Sequence, residues 1–407
     1  MTHTPINGGV CAPQGFRAAG IHCGIRKNKN KRDLALIVSD CAAATAAVYT
    51  RNKVQGAPLA LTRRHLADGF SRAVLCNSGN ANTCNPDGLQ IAEQCCELAA
   101  RALGVLPEEI VIASTGVIGQ PLPLAPFEQG IPAAVSVLSA DGGADAAEAV
   151  MTTDTRPKSH ALAFDLDGTP CRIGIITKGS GMINPNMATM LTFITTDAAI
   201  TPALLQRALS ATVDDTLNQI NIDGDTSTND MAVIQANGMA GNAEINDENS
   251  AAYAAFCAAL HAACVWACRE IAADGEGATK LLECTVQGAP DARSARAVAK
   301  SIISSDLLKA AMFGEDANWG RVLCAIGYTE GDFAADKVSL TLASDKGSVK
   351  VCENSAYFPF SEDEAAEVLS AAEIRINVDL HDGTASAQAW GCDLSYDYVK
   401  INGDYRS

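Results

Sequence analysis

The chain has 407 residues, 48% of them hydrophobic and 19% charged, enough to bury one large core or two to three core-sized units. Its formal charge is -17 at pH 7, and no basic cluster is denser than "IRKNKNKRD" (Ile25 to Asp33), which argues against phosphate backbones and anionic membrane surfaces as partners. The fifteen cysteines are odd in number, form no C-x-x-C pair and include Cys95, Cys96, Cys257, Cys264 and Cys268 on helical apolar faces, predicting buried free thiols in a reducing compartment and no zinc site.

The opening "MTHTPINGGVCAPQGFRAAG" has neither a basic n-region nor an apolar h-region, so no secretion signal is expected. No window is read as reaching the roughly 18 apolar residues of a membrane span. A cytoplasmic protein is predicted. From Leu89 to Leu103 apolar and small residues recur at helical spacing, and Gly104 follows as the cap. "EEIVIASTG" reads as a short buried strand ending in a turn at Thr115 and Gly116, and "CRIGIITKGSG" as a second strand, Cys171 to Thr177.

A Gly/Asn/Pro loop then leads to Thr189 and is read as a loop inside a fold, not a tether between domains. Thr201 and Pro202 open the next helix as N-cap and first-turn proline. The longest helix starts near Ser250, carries Tyr253, Phe256, Cys257, Leu260, Cys264, Cys268 and Ile271 as a core stripe, and stops at Gly275. Further on, Val338, Leu340 and Leu342 alternate, as do Ile374, Ile376, Val378 and Leu380, with Asp382-Gly383 as a hairpin turn. Ser361 and Glu364 form a capping box for an intervening helix. Interleaved helices and strands are compatible with a layered α/β fold.

Familiar catalytic patterns are missing. "DGDTSTND" (Asp223 to Asp230) lacks the glycine a calcium loop needs at its sixth position. "KGSG" is too short for a phosphate-binding loop of the Walker type, no full G-x-G-x-x-G stands in a strand-turn-helix frame, and no G-x-S-x-G elbow occurs. The six histidines form no H-x-x-x-H pair, so neither a His-activated serine nor metal-bound water is expected as nucleophile.

Thr189 offers another route. It stands between Ala188 and the apolar Met190, Leu191 and Phe193, after "TKGSGMINPNMA". A threonine hydroxyl is weak unless a base sits beside it, and cutting the chain before it makes its own α-amine that base. Such an amine has a pKa of about 7.7–8.0, so it accepts a proton near neutrality. The cut can be self-inflicted: Oγ attacks the Ala188 carbonyl, the acyl group shifts from N to O, and water hydrolyses the ester. A small residue at Ala188 and a flexible approach would help the hydroxyl reach that carbonyl.

The segment "KGSGMINPNMATMLTFITTDA" resembles the self-cleavage segment of the ornithine acetyltransferase family, also called bifunctional glutamate N-acetyltransferase. The likeness spans nearly the whole chain, through "GFRAAGIHCGIRKNKNKRDLALIVSD", "NSGNANTCNPDG", "ASTGVIGQPLP", "MTTDTRPK", "INIDGDTSTND", "DGEGATK" and "GEDANWGRVLCAIGY". It implies a self-cleaving acyltransferase fold of the N-terminal-nucleophile kind, with sheets sandwiched by helices. It implies cleavage between Ala188 and Thr189, giving an α chain of residues 1–188 and a β chain of residues 189–407 that form one intertwined catalytic unit.

Thr189 would carry the acetyl group, with Thr115 and Gly116 as the oxyanion hole. Substrate contacts would fall on Thr152, Lys178, Thr189, Glu276, Asn402 and Ser407, with Thr153 as the alternative to Thr152. Lys178 suits an α-carboxylate and Glu276 an amine. The reaction implied moves acetyl from N-acetylornithine to glutamate in arginine biosynthesis, with acetyl-CoA as a possible second donor and no resident cofactor or metal. Two α and two β chains would assemble. Two rival readings are a self-cleaving aminopeptidase, which uses water as acceptor, and a non-catalytic amino-acid-binding protein, whose chain would stay uncut.

Overall fold

Along residues 34–38 the side chains alternate between two buried clusters: Leu34, Leu36 and Val38 pack in one, Ala35 and Ile37 in the other. A strand covered on both faces reads as a continuous apolar run, which is why "LALIV" shows no polar alternation. The structure, a computed structural model, describes residues 3–184 and 190–404.

In chain order the strands are β1 (Thr4–Ile6), β2 (Phe16–Ile21), β3 (Leu34–Tyr49), β4 (Phe70–Asn80), β5 (Ile110–Val117), β6 (Lys158–Leu166), β7 (Thr169–Lys178) and β8 (Leu191–Thr196). Then follow β9 (Ile220–Asn221), β10 (Met231–Ala236), β11 (Leu281–Ala289), β12 (Ser339–Ser344), β13 (Gly347–Glu353), β14 (Ala356–Tyr357), β15 (Glu373–Asp379) and β16 (Ala385–Cys392). They divide between two compact units. The first holds the described residues within 1–179, 185–214 and 226–267, the second those within 180–184, 215–225 and 268–407.

In the first unit nine strands form one sheet in the order β1-β6-β7-β8-β10-β3-β4-β5, with β2 added to β3. β8 runs antiparallel to β7 and parallel to β10, while β4 and β5 are parallel. The helices Gly88–Leu103 and Ala125–Ser136 cover one face through Cys95, Cys96, Ala99, Phe127 and Ile131; Gly143–Ala149 covers the other through Ala146, Ala147 and Ala149. The first of these helices ends as the sequence predicts: the Gly104 amide donates to the Ala100 carbonyl at 2.8 Å.

The second unit has seven strands in the order β14-β13-β12-β15-β11-β16-β9. The helix Ala292–Ile303 sends Ala295, Val298, Ala299, Ile302 and Ile303 into its core, and Asp291 caps it by accepting from the Ser294 amide at 2.8 Å. Ser361 caps the helix Glu362–Leu369 by accepting from the Glu364 amide. Two mixed sheets flanked by helices make the α/β class expected. Among the described residues all fifteen cysteines are free thiols.

Three expectations need correction. Asp382-Gly383 is not a hairpin turn, because β15 and β16 are not neighbours; β11 lies between them, parallel to β15 and antiparallel to β16. The loop after Lys178 is not confined to one unit: the chain passes from the first unit to the second after Gly179. Two other crossings fall in regular helices, in Pro202–Asp215 and Ala251–Ala273, where no linker composition marks them, and one falls between Asp225 and Thr226 in a loop. Finally, Ala251–Ala273 is long and apolar enough to cross a membrane by length and composition, with mean hydropathy 1.6 over 18 residues. Alanine and cysteine supply that value, and the stripe Phe256, Leu260, Cys264, Cys268 and Ile271 is fully buried within the protein.

Candidate active site

The ends of β5 and β7 bring three of the expected residues together in the first unit. Lys178 is the last residue of β7, buried, and its Nζ donates to the Thr115 Oγ1 at 3.4 Å. Thr115 and Gly116 belong to β5 itself, not to a turn after it, which corrects the sequence-based placement. They sit where the β4–β5 ladder loses its register against Gly79 and Asn80. Gly116 has φ +131°, and a Cβ there would strike the backbone of Gly79 and Asn80, so only glycine fits this close approach.

Asp154 ties this strand end to the segment that carries Thr152. Its Oδ1 accepts from Lys158 Nζ at 2.7 Å and from the Gly179 amide at 2.8 Å, and its Oδ2 accepts from the Thr152 amide at 2.9 Å. Burial pushes the carboxyl pKa up, but the Lys158 and Lys178 charges and the hydrogen bonds outweigh it and hold it at about 2. One ionised carboxylate thus fixes both Thr152 and the residue after Lys178.

Asp230, just before β10, behaves in the opposite way. It is buried, and among the described residues its Oδ2 has no hydrogen-bond partner. Burial drives its pKa well above the usual carboxylate value, against a Ser227 hydrogen bond and the Lys178 charge. The two buried carboxyls are thus shifted in opposite directions, Asp154 down and Asp230 up. The Lys178 charge acts to lower the pKa of both, while its Nζ hydrogen-bonds to Thr115.

The second unit gathers Glu276 and Asn402. Glu276 is buried, its amide donates to the Ser180 carbonyl at 2.9 Å, and its Oε2 accepts from Asn402 Nδ2 at 2.8 Å. Asn402 lies on the helix Tyr396–Gly403, so this part of the C-terminal segment is ordered structure and not a frayed tail. Tyr398 on the same helix has its phenol pKa raised by burial and by the Asp223, Glu276 and Asp225 charges.

The stretch 180–184 is held by hydrogen bonds from its backbone and side chains. Asp223 accepts from the Met182 amide at 2.6 Å and the Ile183 amide at 2.9 Å. Ser180 Oγ donates to the Asp274 carbonyl at 2.7 Å, and Asn184 Nδ2 to the Gly224 carbonyl at 2.9 Å. Asp223 and Gly224, part of the rejected calcium loop, serve as a clasp. No metal-binding cluster occurs among the described residues. Ala188, Thr189 and Ser407 lie outside the described residues.

Sequence reasoning missed Asp154, Lys158, Asp223, Asn229 and Asp230. Asp154 and Lys158 stand in "MTTDTRPK" four residues apart, but outside a helix that spacing signals nothing, and their pairing is visible only in three dimensions. The blocks "MTTDTRPK" and "INIDGDTSTND" held these residues in plain sight without assigning them work.

Comparison with known proteins gives the arrangement its context. Residues 17–407 match the ArgJ family. The Symbiobacterium thermophilum protein named arginine biosynthesis bifunctional protein ArgJ is 51% identical over 404 residues, covering 99% of each chain. The crystal structure of arginine biosynthesis bifunctional protein ArgJ from Bacillus halodurans is similar with a TM-score of 0.50 and 46% identity, over 52% of this chain and 98% of its own. That of ornithine acetyltransferase from Mycobacterium tuberculosis, complexed with ornithine, gives a TM-score of 0.43 and 38% identity, over 46% of this chain and 100% of its own. With nearly its whole length matched and half its residues shared with a full-length relative, this chain belongs to the ArgJ family.

Proposed function

We propose that the chain cuts itself between Ala188 and Thr189 and then moves an acetyl group from N-acetylornithine to glutamate through an ester on Thr189. In the first half-reaction Thr189 Oγ attacks the acetyl carbonyl, the amide C–N bond breaks, and ornithine leaves with a proton relayed by the Thr189 α-amine. In the second, the α-amine of glutamate attacks the ester, the C–O bond breaks, and Thr189 recovers its hydrogen. The Thr115 hydroxyl and Gly116 amide stabilise the oxyanion in both halves. Lys178 takes the α-carboxylate common to donor and acceptor, Glu276 steadied by Asn402 takes a substrate amine, and Thr152 and Ser407 complete the contacts. The same ester can be loaded from acetyl-CoA, which makes N-acetylglutamate directly. This chemistry calls on no metal or resident cofactor. Two copies of each chain assemble in the cytoplasm.

The observation that carries this proposal is the 3.4 Å approach of Lys178 Nζ to the Thr115 hydroxyl, on the strand whose partner β8 begins two residues past Thr189. Further support comes from relatives described as bifunctional proteins of arginine biosynthesis and as ornithine acetyltransferase. The Bacillus halodurans chain is matched over 98% of itself yet over only 52% of this one, as a protein split into two pieces would be. The test is to supply N-acetylornithine with and without glutamate. Ornithine and N-acetylglutamate should appear in equal amounts, with parallel double-reciprocal lines; steady release of free acetate without glutamate would favour the hydrolase instead.

A further inference from the structure

Asn229 uses every hydrogen-bonding position of its side chain. Its Nδ2 donates to the carbonyls of Ala81 (2.6 Å) and Ser114 (3.0 Å), and its Oδ1 accepts from the Thr83 and Thr228 hydroxyls, each at 2.6 Å. An amide has two donors and two acceptor lone pairs, so none is spare. The side chain is buried. Its two acceptor carbonyls frame the irregular end of the β4–β5 ladder: Ala81 follows β4, and Ser114 immediately precedes Thr115 on β5. The Ala81 amide donates to the Val117 carbonyl at 2.9 Å, closing the frame around Gly116. Ser114 is held a second time, its Oγ donating to Asn77 Oδ1 at 2.6 Å. Two residues beyond Asn229, Met231 pairs with Leu191, which is itself two residues beyond Thr189 in the sequence.

We propose that Asn229 is a positioning residue for the oxyanion site. By fixing the Ala81 and Ser114 carbonyls it sets the directions in which the Thr115 hydroxyl and the Gly116 amide point. The inference rests on Thr115 and Gly116 being the oxyanion donors proposed above. The stake is geometric, because a displacement of about 1 Å at a reacting centre can cost roughly 100-fold in rate. Self-cleavage and acetyl transfer both pass through a tetrahedral oxyanion, so one amide governs the rate of both.

Asn229→Asp keeps the size and the accepting oxygens but removes both donors. It should slow self-cleavage and lower kcat by about 10–100-fold while KM stays within about twofold. A double-mutant cycle with Thr115→Ala separates this role from a merely structural one: both changes damage the same donors, so the combined loss in kcat should fall well short of the product of the two single losses. Losses that multiply, an unchanged kcat, or a raised KM with kcat intact would overturn the role of Asn229 while a slow Thr115→Ala left the oxyanion assignment standing. A Thr115→Ala enzyme at full rate would instead sink that assignment. If Asn229→Asp fails to fold, Thr83→Val, which strips one hydroxyl that aims the amide, serves in its place: a several-fold lower kcat at unchanged KM supports the proposal, and an unchanged kcat overturns it.

Discussion

Asp154 and Asp230 are both removed from water in the first unit, yet their carboxyl pKa values shift in opposite directions: the charges and donors around Asp154 outweigh its burial, and those around Asp230 do not. Asp154 has two lysines and two backbone amides to hold its charge, so its folded pKa lies near 2, below the ordinary 3.8. A depressed carboxyl pKa contributes stability above the unfolded value and loses it as pH falls from about 4 to about 2. Asp154→Asn should therefore cost roughly 2 kcal/mol near pH 7, and the gap from the parent should close in that acid window; chemical denaturation at several pH values reads it. Asp230 binds its proton on folding, with its pKa raised by burial, so it weakens the fold as pH climbs above the ordinary carboxyl value. Asp230→Asn should flatten that decline. At the same scale, Thr189→Ala should leave an uncut, inactive chain, and Thr115→Ala should lower kcat by about 10²–10³-fold. None of the aspartate behaviour was legible in the sequence. The work of Asn229 beside Asp230 was equally hidden, because its partners Ala81, Thr83 and Ser114 are more than a hundred residues away.

At the scale of elements, local signals placed the helices well. The stripe from Leu89 to Leu103 and the Gly104 stop match the helix Gly88–Leu103, since periodicity and capping are properties of adjacent residues. Strand order was not legible. β15 and β16 are joined by a turn-like Asp-Gly, but β11, which comes about a hundred residues earlier, inserts between them through buried contacts that no local pattern records. The end of β5 shows the same limit: "ASTG" looks like a strand followed by a turn, while the fold keeps Thr115 and Gly116 in the ladder at an irregular step. Gly116→Ala would set a side chain at φ +131° against the Gly79 backbone. It should lose on the order of 1–3 kcal/mol of stability and lower kcat at least as much as Thr115→Ala, measured by thermal unfolding beside steady-state kinetics.

For the whole molecule, the position of the proposed cut matters more than its chemistry. β7 ends before it and β8 begins after it, yet the two strands pair from Lys178–Leu191 to Ile173–Thr196 within one sheet. Residues 1–188 and 189–407 therefore should not part after cleavage; they should co-elute in native gel filtration and separate only in denaturant. The two compact units do not coincide with the two proposed chains, and the sequence hid both divisions because the chain crosses between units several times, twice within regular helices. The acidity of the chain was legible at once, as was its family, because charge and motif blocks need no knowledge of pairing. The most direct test is the intact mass of denatured enzyme taken from solution with N-acetylornithine alone. Two chains are expected, the second starting at Thr189 and one acetyl group heavier on that residue. A single uncut chain of 407 residues working at full rate, or an acetyl group on any other side chain, would contradict the mechanism.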